Sequence, residues 1–357
     1  MPGPQSQADR RTSRPTGSAI AHVDTPAVTP DARVDNGSMS NPIPSDGDAA
    51  IAHDLATLAG AAATAVAPYL RSVARTVTSF ETKVDVHDPV TLHDRRVEGA
   101  LHALLARMVP GSRVLGEETG EHVLPLEPPK LTGEFTEHFL VPTSPEVQGA
   151  LRRCAPLRNR VRWIIDPIDG TANFAAGMSY FNTSVAAEVD GTAVAGAVSV
   201  PMSHELFVAD RDRCWVEGPT GTRELHADGP SREDHALLIT YHPGLAVLRR
   251  DPRLGLDHET RLAEAYQALR RPGAAALDLA MVAAGWCGAM IGTSFKPWDV
   301  AAGIHLVRVA GGRVLNLPLG SGQPDGLRPG VVASARQLDA CTATALLREL
   351  EEISANS

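Results

Sequence analysis

An α+β fold is predicted for this chain, with an α+β part over residues 49–216 and a smaller α/β part over 217–357. Three observations carry that prediction. Apolar residues recur at helical spacing where the folded part begins, two apolar stretches flank a hairpin signal at Asp190-Gly191, and several helical patterns follow residue 217. Ile51, Leu55, Leu58, Ala62, Val66 and Leu70 define the first amphipathic helix. A second runs from Asp94 to Met108, with Val97, Leu101, Leu104, Leu105 and Met108 facing inward and Pro110-Gly111 as its stop. Prolines at 125, 128, 129, 142, 145 and 156 make 121–160 an irregular excursion with one short helix near 146–153. Loops of that length are often lids or interaction surfaces. Val161, Trp163 and Ile165 share one face of a strand, and 181–200 forms the hairpin. Strands follow at 205–209, 213–216 and 236–240. Helices are expected near 258–270, 274–284, 298–310 and 336–352, with Gly285 and Gly311-Gly312 ending the middle two.

Composition narrows the function classes. With 357 residues, 43% hydrophobic and 21% charged, the chain has the balance of an ordinary globular protein. A net charge of −9 speaks against a nucleic-acid partner, which needs a basic face, and against anionic membranes. An acidic protein that handles an anionic substrate needs bound cations. The four cysteines, Cys154, Cys214, Cys287 and Cys341, have no paired spacing, so reduced thiols are expected. Residues 1–48 lack aromatics and are rich in Pro, Ser, Asp, Gly and Thr, the composition of a disordered tail. No stretch reads as a membrane span, and a cytoplasmic setting is the expectation.

The most informative run is Trp163-Ile-Ile-Asp-Pro-Ile-Asp-Gly-Thr-Ala-Asn-Phe174. An apolar strand ends in Asp166 and Asp169 with Pro167 between them, and Gly170 and Thr171 follow at once. Pro167 fixes its own φ and restricts Asp166, which holds the two acids at a set separation. Carboxylates that close repel unless a cation or proton lies between them. Oxygen-only ligation of this kind suits Mg²⁺, which keeps positions open for water and phosphate. A strand-end turn is the plainer reading of Asp, Pro and Gly alone.

Further acids stand in similar settings. Gly116-Glu117-Glu118 follows the short apolar piece Val114-Leu115, Trp298-Asp299 opens a helix after Pro297, and Lys83 precedes Asp94 at another helix start. Each in isolation reads as a surface pair or a cap. In this order they resemble the inositol monophosphatase family of metal-dependent phosphatases, over about residues 50–350. Lys296-Pro-Trp-Asp-Val-Ala-Ala-Gly303 is similar to the family's second signature.

The resemblance implies a layered α-β-α-β-α sandwich with two or three Mg²⁺ ions between its halves. It assigns Glu117, Asp166 and the Ile168 carbonyl to the first ion, and Asp166, Asp169 and Asp299 to the second. Glu117 would also touch a third, weaker ion or the water it activates. Thr171, paired with Asp94, would take a proton from the attacking water. Lys83 would stand near the metals, and Gly170, Thr171, Gly273 and Ala274 would line the substrate. The implied partner is a small-molecule phosphate ester, and a second copy of the chain is a candidate partner because the family often forms homodimers.

Substrate identity is less sharply implied. The family commonly places an acidic residue, which binds inositol hydroxyls, several positions before Trp-Asp, where Gly292 stands here. Its Gly-Ser-Ala-Ala-Leu pattern appears as Gly273-Ala-Ala-Ala-Leu277, one hydroxyl short. An inositol monophosphate, fructose 1,6-bisphosphate, histidinol phosphate and a nucleotide 3′-phosphate all stay open. A non-catalytic metal- or ligand-binding regulator is the alternative from another class.

Overall fold

The computed structural model of the chain describes residues 46–76, 81–82, 89–90 and 92–355. Lys83 and most of the 1–48 segment lie outside the described residues. In chain order the helices are α1 (Asp46–Ala65), α2 (Ala67–Val73), α3 (Leu92–Met108), α4 (Gly133–His138), α5 (Pro145–Cys154), α6 (Thr171–Ala175), α7 (Leu245–Arg250), α8 (Pro252–Ala265), α9 (Ala275–Ala283), α10 (Pro297–Val309) and α11 (Cys341–Ala355). The strands are β1 (Glu81–Thr82), β2 (Pro89–Val90), β3 (Arg113–Gly116), β4 (Gly120–Val123), β5 (Val161–Asp169), β6 (Asn182–Val189), β7 (Thr192–Val200), β8 (Glu205–Ala209), β9 (Cys214–Gly218) and β10 (Gly221–Glu224). After these come β11 (Leu237–Thr240), β12 (Ala268–Arg270), β13 (Ala289–Gly292), β14 (Arg313–Leu317) and β15 (Gly330–Ser334).

Strands β3 to β10 form one sheet in the order β10-β9-β8-β7-β6-β5-β3-β4, and β11 to β15 form a second in the order β12-β11-β13-β15-β14. Both sheets are covered on both faces, because successive residues of a strand point to opposite sides. Trp163 and Ile165 of β5 pack with Leu55, Leu58 and Ala62 of α1 and Val97, Leu101 and Leu105 of α3. Ile164, between them, faces the other way, into a core shared with Leu279 and Val282 of α9, Val300 and Ile304 of α10, and Met290 and Val331 of the second sheet. The far side of that second sheet packs Leu238, Ile291 and Val332 against Leu262 of α8 and Leu346 and Leu347 of α11. Five layers result, α-β-α-β-α.

Several expectations change in detail. The expected 258–270 helix is α8, and 268–270 is strand β12. Its start is set by Asp251, whose carboxylate accepts from Arg253 N and Leu254 N at 3.0 and 3.1 Å, with Pro252 in the first turn. The last helix starts at Cys341 rather than 336, because Ala335 N and Arg336 N donate to Gly288 O and Ala227 O and Leu338 N closes a turn on Ala335 O. The 121–160 stretch is less irregular than its prolines suggest. It contains β4, α4 and α5, and Arg153 of α5 makes a bidentate pair with Asp54 of α1 at 2.5 and 2.6 Å. Gly47–Val73 is, contrary to expectation, apolar and long enough to cross a membrane by length and composition. Of its 18-residue apolar window 61% is buried, and its Leu55, Leu58, Ala62, Val66 and Leu70 belong to the first core, as a core helix requires.

Candidate metal centre

The site is assembled at the carboxyl ends of two adjacent strands. β3 and β5 run parallel with Gly116 opposite Ile165, so the next residues, Glu117 just beyond β3 and Asp166 within β5, stand side by side. Asp166 and Asp169 are three residues apart, which in a regular strand would place them on opposite faces. Here Asp166 pairs with Ser184 and Asp169 with Asn182, three steps against two, so β5 carries a bulge. Pro167 sits in that bulge, where no ladder N–H is needed, and its carbonyl accepts from Thr183 Oγ1 at 2.9 Å. The extra residue returns both acids to one side. Gly170 then turns with φ of +90°, a left-handed conformation that a Cβ would strain, and leads into Thr171.

Each acid is held differently. Asp166, 3% exposed, accepts from Ile168 N at 3.0 Å. Burial, then the charges of Glu117, Asp169 and Asp299, push its pKa well above the usual carboxylate range. Asp299 is also raised well above that range, first by burial, against the pull of a hydrogen bond from Lys296 N at 2.8 Å. Asp169 is raised by burial too, but hydrogen-bond donors oppose the rise, among them Asn182 Nδ2 at 2.6 Å, Ala276 N at 2.8 Å and Ala275 N at 2.9 Å. Asp169 of the first sheet thus caps α9, the helix between the sheets.

Thr171 Oγ1 lies 3.1 Å from Asp94 Oδ1 and 2.9 Å from the Ile168 carbonyl oxygen. Its single proton serves one of them at a time. Asp94, on the first turn of α3, is 1% exposed. The expected substrate residues also meet: a Cβ at Gly170 would lie 3.1 Å from both Gly273 O and Ala274 Cβ. Beside Gly292 the ring of Phe295 fills the space, since a Cβ there would lie 2.2 Å from it.

Sequence reasoning missed Glu98. It is fully buried on α3, and its carboxylate accepts from Glu118 N at 2.8 Å, Thr119 N at 2.9 Å and Thr119 Oγ1 at 2.6 Å. Those bonds fix the turn that starts at Glu117. Gly116 is required beside it, because a Cβ would stand 2.6 Å from Glu98 Oε1. The missed signal was an acid one helical turn after Asp94, on the face that carries Val97 and Leu101. Glu98→Ala is expected to cost about 2–3 kcal/mol in urea unfolding, since two backbone donors lose a charged acceptor, and to lower any metal-dependent turnover. A variant as stable and active as the parent would show that the 117–119 turn holds without Glu98.

A hard divalent cation fits this donor set, which is all oxygen, largely withdrawn from water and mutually repelling. Among the described residues no three His, Cys, Asp or Glu side chains are gathered at ligating distance around one point.

Comparison with known proteins decides the relationship, since the model of the inositol monophosphatase family matches residues 51–352. The chain belongs to the inositol monophosphatase family. Among relatives of this family member, inositol-1-monophosphatase of Mycobacterium leprae is 33% identical over 257 residues, 72% of this chain and 77% of that protein. Nus factor SuhB of Pseudomonas aeruginosa is 31% identical over 249 residues, 68% and 78% of the two chains. Among solved structures, SuhB of Mycobacterium tuberculosis is similar at 28% identity with a TM-score of 0.60, covering 84% of this chain and 97% of that one. The layered sandwich is the fold of this inositol monophosphatase family member, and family membership supports a phosphatase.

Proposed function

We propose that the protein is a Mg²⁺-dependent phosphomonoesterase acting on a small phosphorylated polyol or sugar, an inositol monophosphate or a similar ester. The observation that supports this most directly is the meeting of Asp166, Asp169 and Asp299, whose carboxyls burial raises above their usual range, with Glu117 as a further charge beside Asp166. In this reading Glu117, Asp166 and the Ile168 carbonyl hold one ion, Asp166, Asp169 and Asp299 a second, and Glu117 helps with a third. Bound Mg²⁺ supplies positive charge that offsets a phosphate dianion and makes water a better nucleophile. Thr171 then receives a proton from the attacking water and passes its own to Asp94 over the 3.1 Å hydrogen bond. Gly170 and Thr171 cradle the phosphate through backbone N–H groups, and Gly273 and Ala274 wall the ester's alcohol. Lys83 belongs to the same assignment, as do a homodimer and a cytoplasmic setting.

The test is phosphate release from a panel of esters with Mg²⁺ and with chelator. The panel holds inositol 1-phosphate, fructose 1,6-bisphosphate, histidinol phosphate and adenosine 3′,5′-bisphosphate. Mg²⁺-dependent release from one supports the reading and identifies the substrate class. Silence on all four with Mg²⁺ still bound favours a second reading, a non-catalytic regulator, to which the relatives named Nus factor SuhB also point. Thr171→Ala is expected to slow turnover by roughly 10²-fold with little change in Mg²⁺ affinity. A variant that chiefly lost Mg²⁺ affinity would remove the proton-transfer role from Thr171.

A further inference from the structure

Behind the metal carboxylates lies a second buried acid that the mechanism above does not use. Asp278 is 0% exposed on α9, one turn beyond the amides that hold Asp169. Both of its oxygens are taken by phenols: Tyr180 Oη donates to Oδ1 at 2.5 Å and Tyr241 Oη to Oδ2 at 2.6 Å. The two tyrosines come from opposite sides of the helix layer. Tyr180 lies in the connection that runs from the Gly170-Thr171 turn into β6, and its carbonyl accepts from Asn173 Nδ2 at 2.8 Å. Tyr241 follows β11 of the second sheet, its N–H bonded to Ile291 O at 2.8 Å and its ring edge-to-face with Phe295 at 5.1 Å.

We propose that Tyr180, Asp278 and Tyr241 form a clamp that fixes the N-terminus of α9 against both sheets, making Asp278 a positioning residue for Asp169. The inference rests on the phosphatase reading above. The geometry supports it in two steps. Asp169 takes its place from the amides of Ala275 and Ala276, and those amides take theirs from a helix that is tied one turn later to two different layers. A buried carboxylate in a helix of alanines and leucines is costly unless its oxygens are satisfied, so the tyrosines and Asp278 depend on one another. Burial raises Asp278 to about 7, and the two phenol donors hold it below where burial alone would put it.

The test uses the full chain, with Mg²⁺ alone in a calorimetric titration and steady-state phosphate release from the best ester of the panel. Asp278→Leu removes both acceptors while keeping the branched outline of the side chain. It is expected to weaken Mg²⁺ binding and lower kcat by about 10-fold or more each, the loss typical of a group that orients a metal ligand, with KM for the ester much less affected. Asp278→Asn, which accepts from one phenol and donates to the oxygen of the other, is expected to recover most of both losses. A folded Asp278→Leu protein with parental kcat and Mg²⁺ affinity overturns the clamp, as does an Asn variant no better than Leu. If Asp278→Leu does not fold, the Tyr180→Phe/Tyr241→Phe double variant is expected to show the same split, and unchanged parameters there also overturn it. If the parent protein releases phosphate from no ester, the phosphatase reading fails separately. The Mg²⁺ titrations of the parent and the Leu variant then decide the clamp, a weakened variant supporting it and an unchanged one overturning it.

Discussion

Asp166→Asn is expected to reduce Mg²⁺-dependent phosphate release by at least about 10³-fold, a loss of about 4 kcal/mol, while making the metal-free protein more stable. The two effects share one cause. Asp166 is buried and lies within the fields of Glu117, Asp169 and Asp299. Asparagine keeps the shape, an oxygen for the Ile168 amide and a donor for Glu117, but removes the charge that repels the other acids. Relief of that repulsion is worth roughly 1 kcal/mol, or about 2–4 °C in melting temperature. Thermal melts in chelator and phosphate-release assays read the two arms separately. A well-folded Asp166→Asn protein with parental turnover would remove the basis of the proposed chemistry. A variant that is less stable without metal would mean that the four acids do not strain one another.

The second large effect is a dependence of metal-free stability on pH that Mg²⁺ cancels. Asp166, Asp169 and Asp299 have raised pKa values in the folded chain, against about 3.8 when unfolded. The folded state therefore binds more protons than the unfolded state. Stability from these groups is complete below the unfolded value and is lost as pH rises through the raised folded values. In chelator, melting temperature is expected to fall by roughly 4–8 °C from pH 5.5 to pH 8, the equivalent of about 2 kcal/mol. Saturating Mg²⁺ binds the ionised form, so it should restore most of that fall and raise the melting temperature more at pH 8 than at pH 5.5. A flat or rising chelator profile over this interval would count against mutual repulsion among the buried carboxylates at the site.

The sequence made some of this legible for definite reasons. Helices α1 and α3 showed themselves by apolar spacing, and the residues expected to face inward, from Leu55 to Leu70 and from Val97 to Met108, lie in the first core. Glu117, Asp166 and Asp169 drew notice because apolar runs end abruptly in acids, although each alone also reads as a turn or a surface pair. Strands β12 to β15 escaped notice. They are three to five residues long, and β13 and β15 are buried throughout, so they lack the alternation that marks a half-exposed strand. Glu98 and Asp278 escaped because their partners are distant in the chain: Glu98 meets a turn about 20 residues away, and Asp278 meets tyrosines 98 and 37 residues away. A lone acid in an apolar helical run signals burial, but only the fold names what satisfies it.

The bulge in β5 separates two acids that look alike in sequence and differ in what they owe the fold. Asp166 sits among charges that oppose it, whereas Asp169 joins a strand to α9 through two amides. A descendant that abandoned catalysis could exchange Asp166 and fold more easily. The same exchange at Asp169 would uncap a helix in the middle layer. Decay of function in such a lineage would be recorded first at position 166, with position 169 remaining acidic long after the chemistry that once accompanied it.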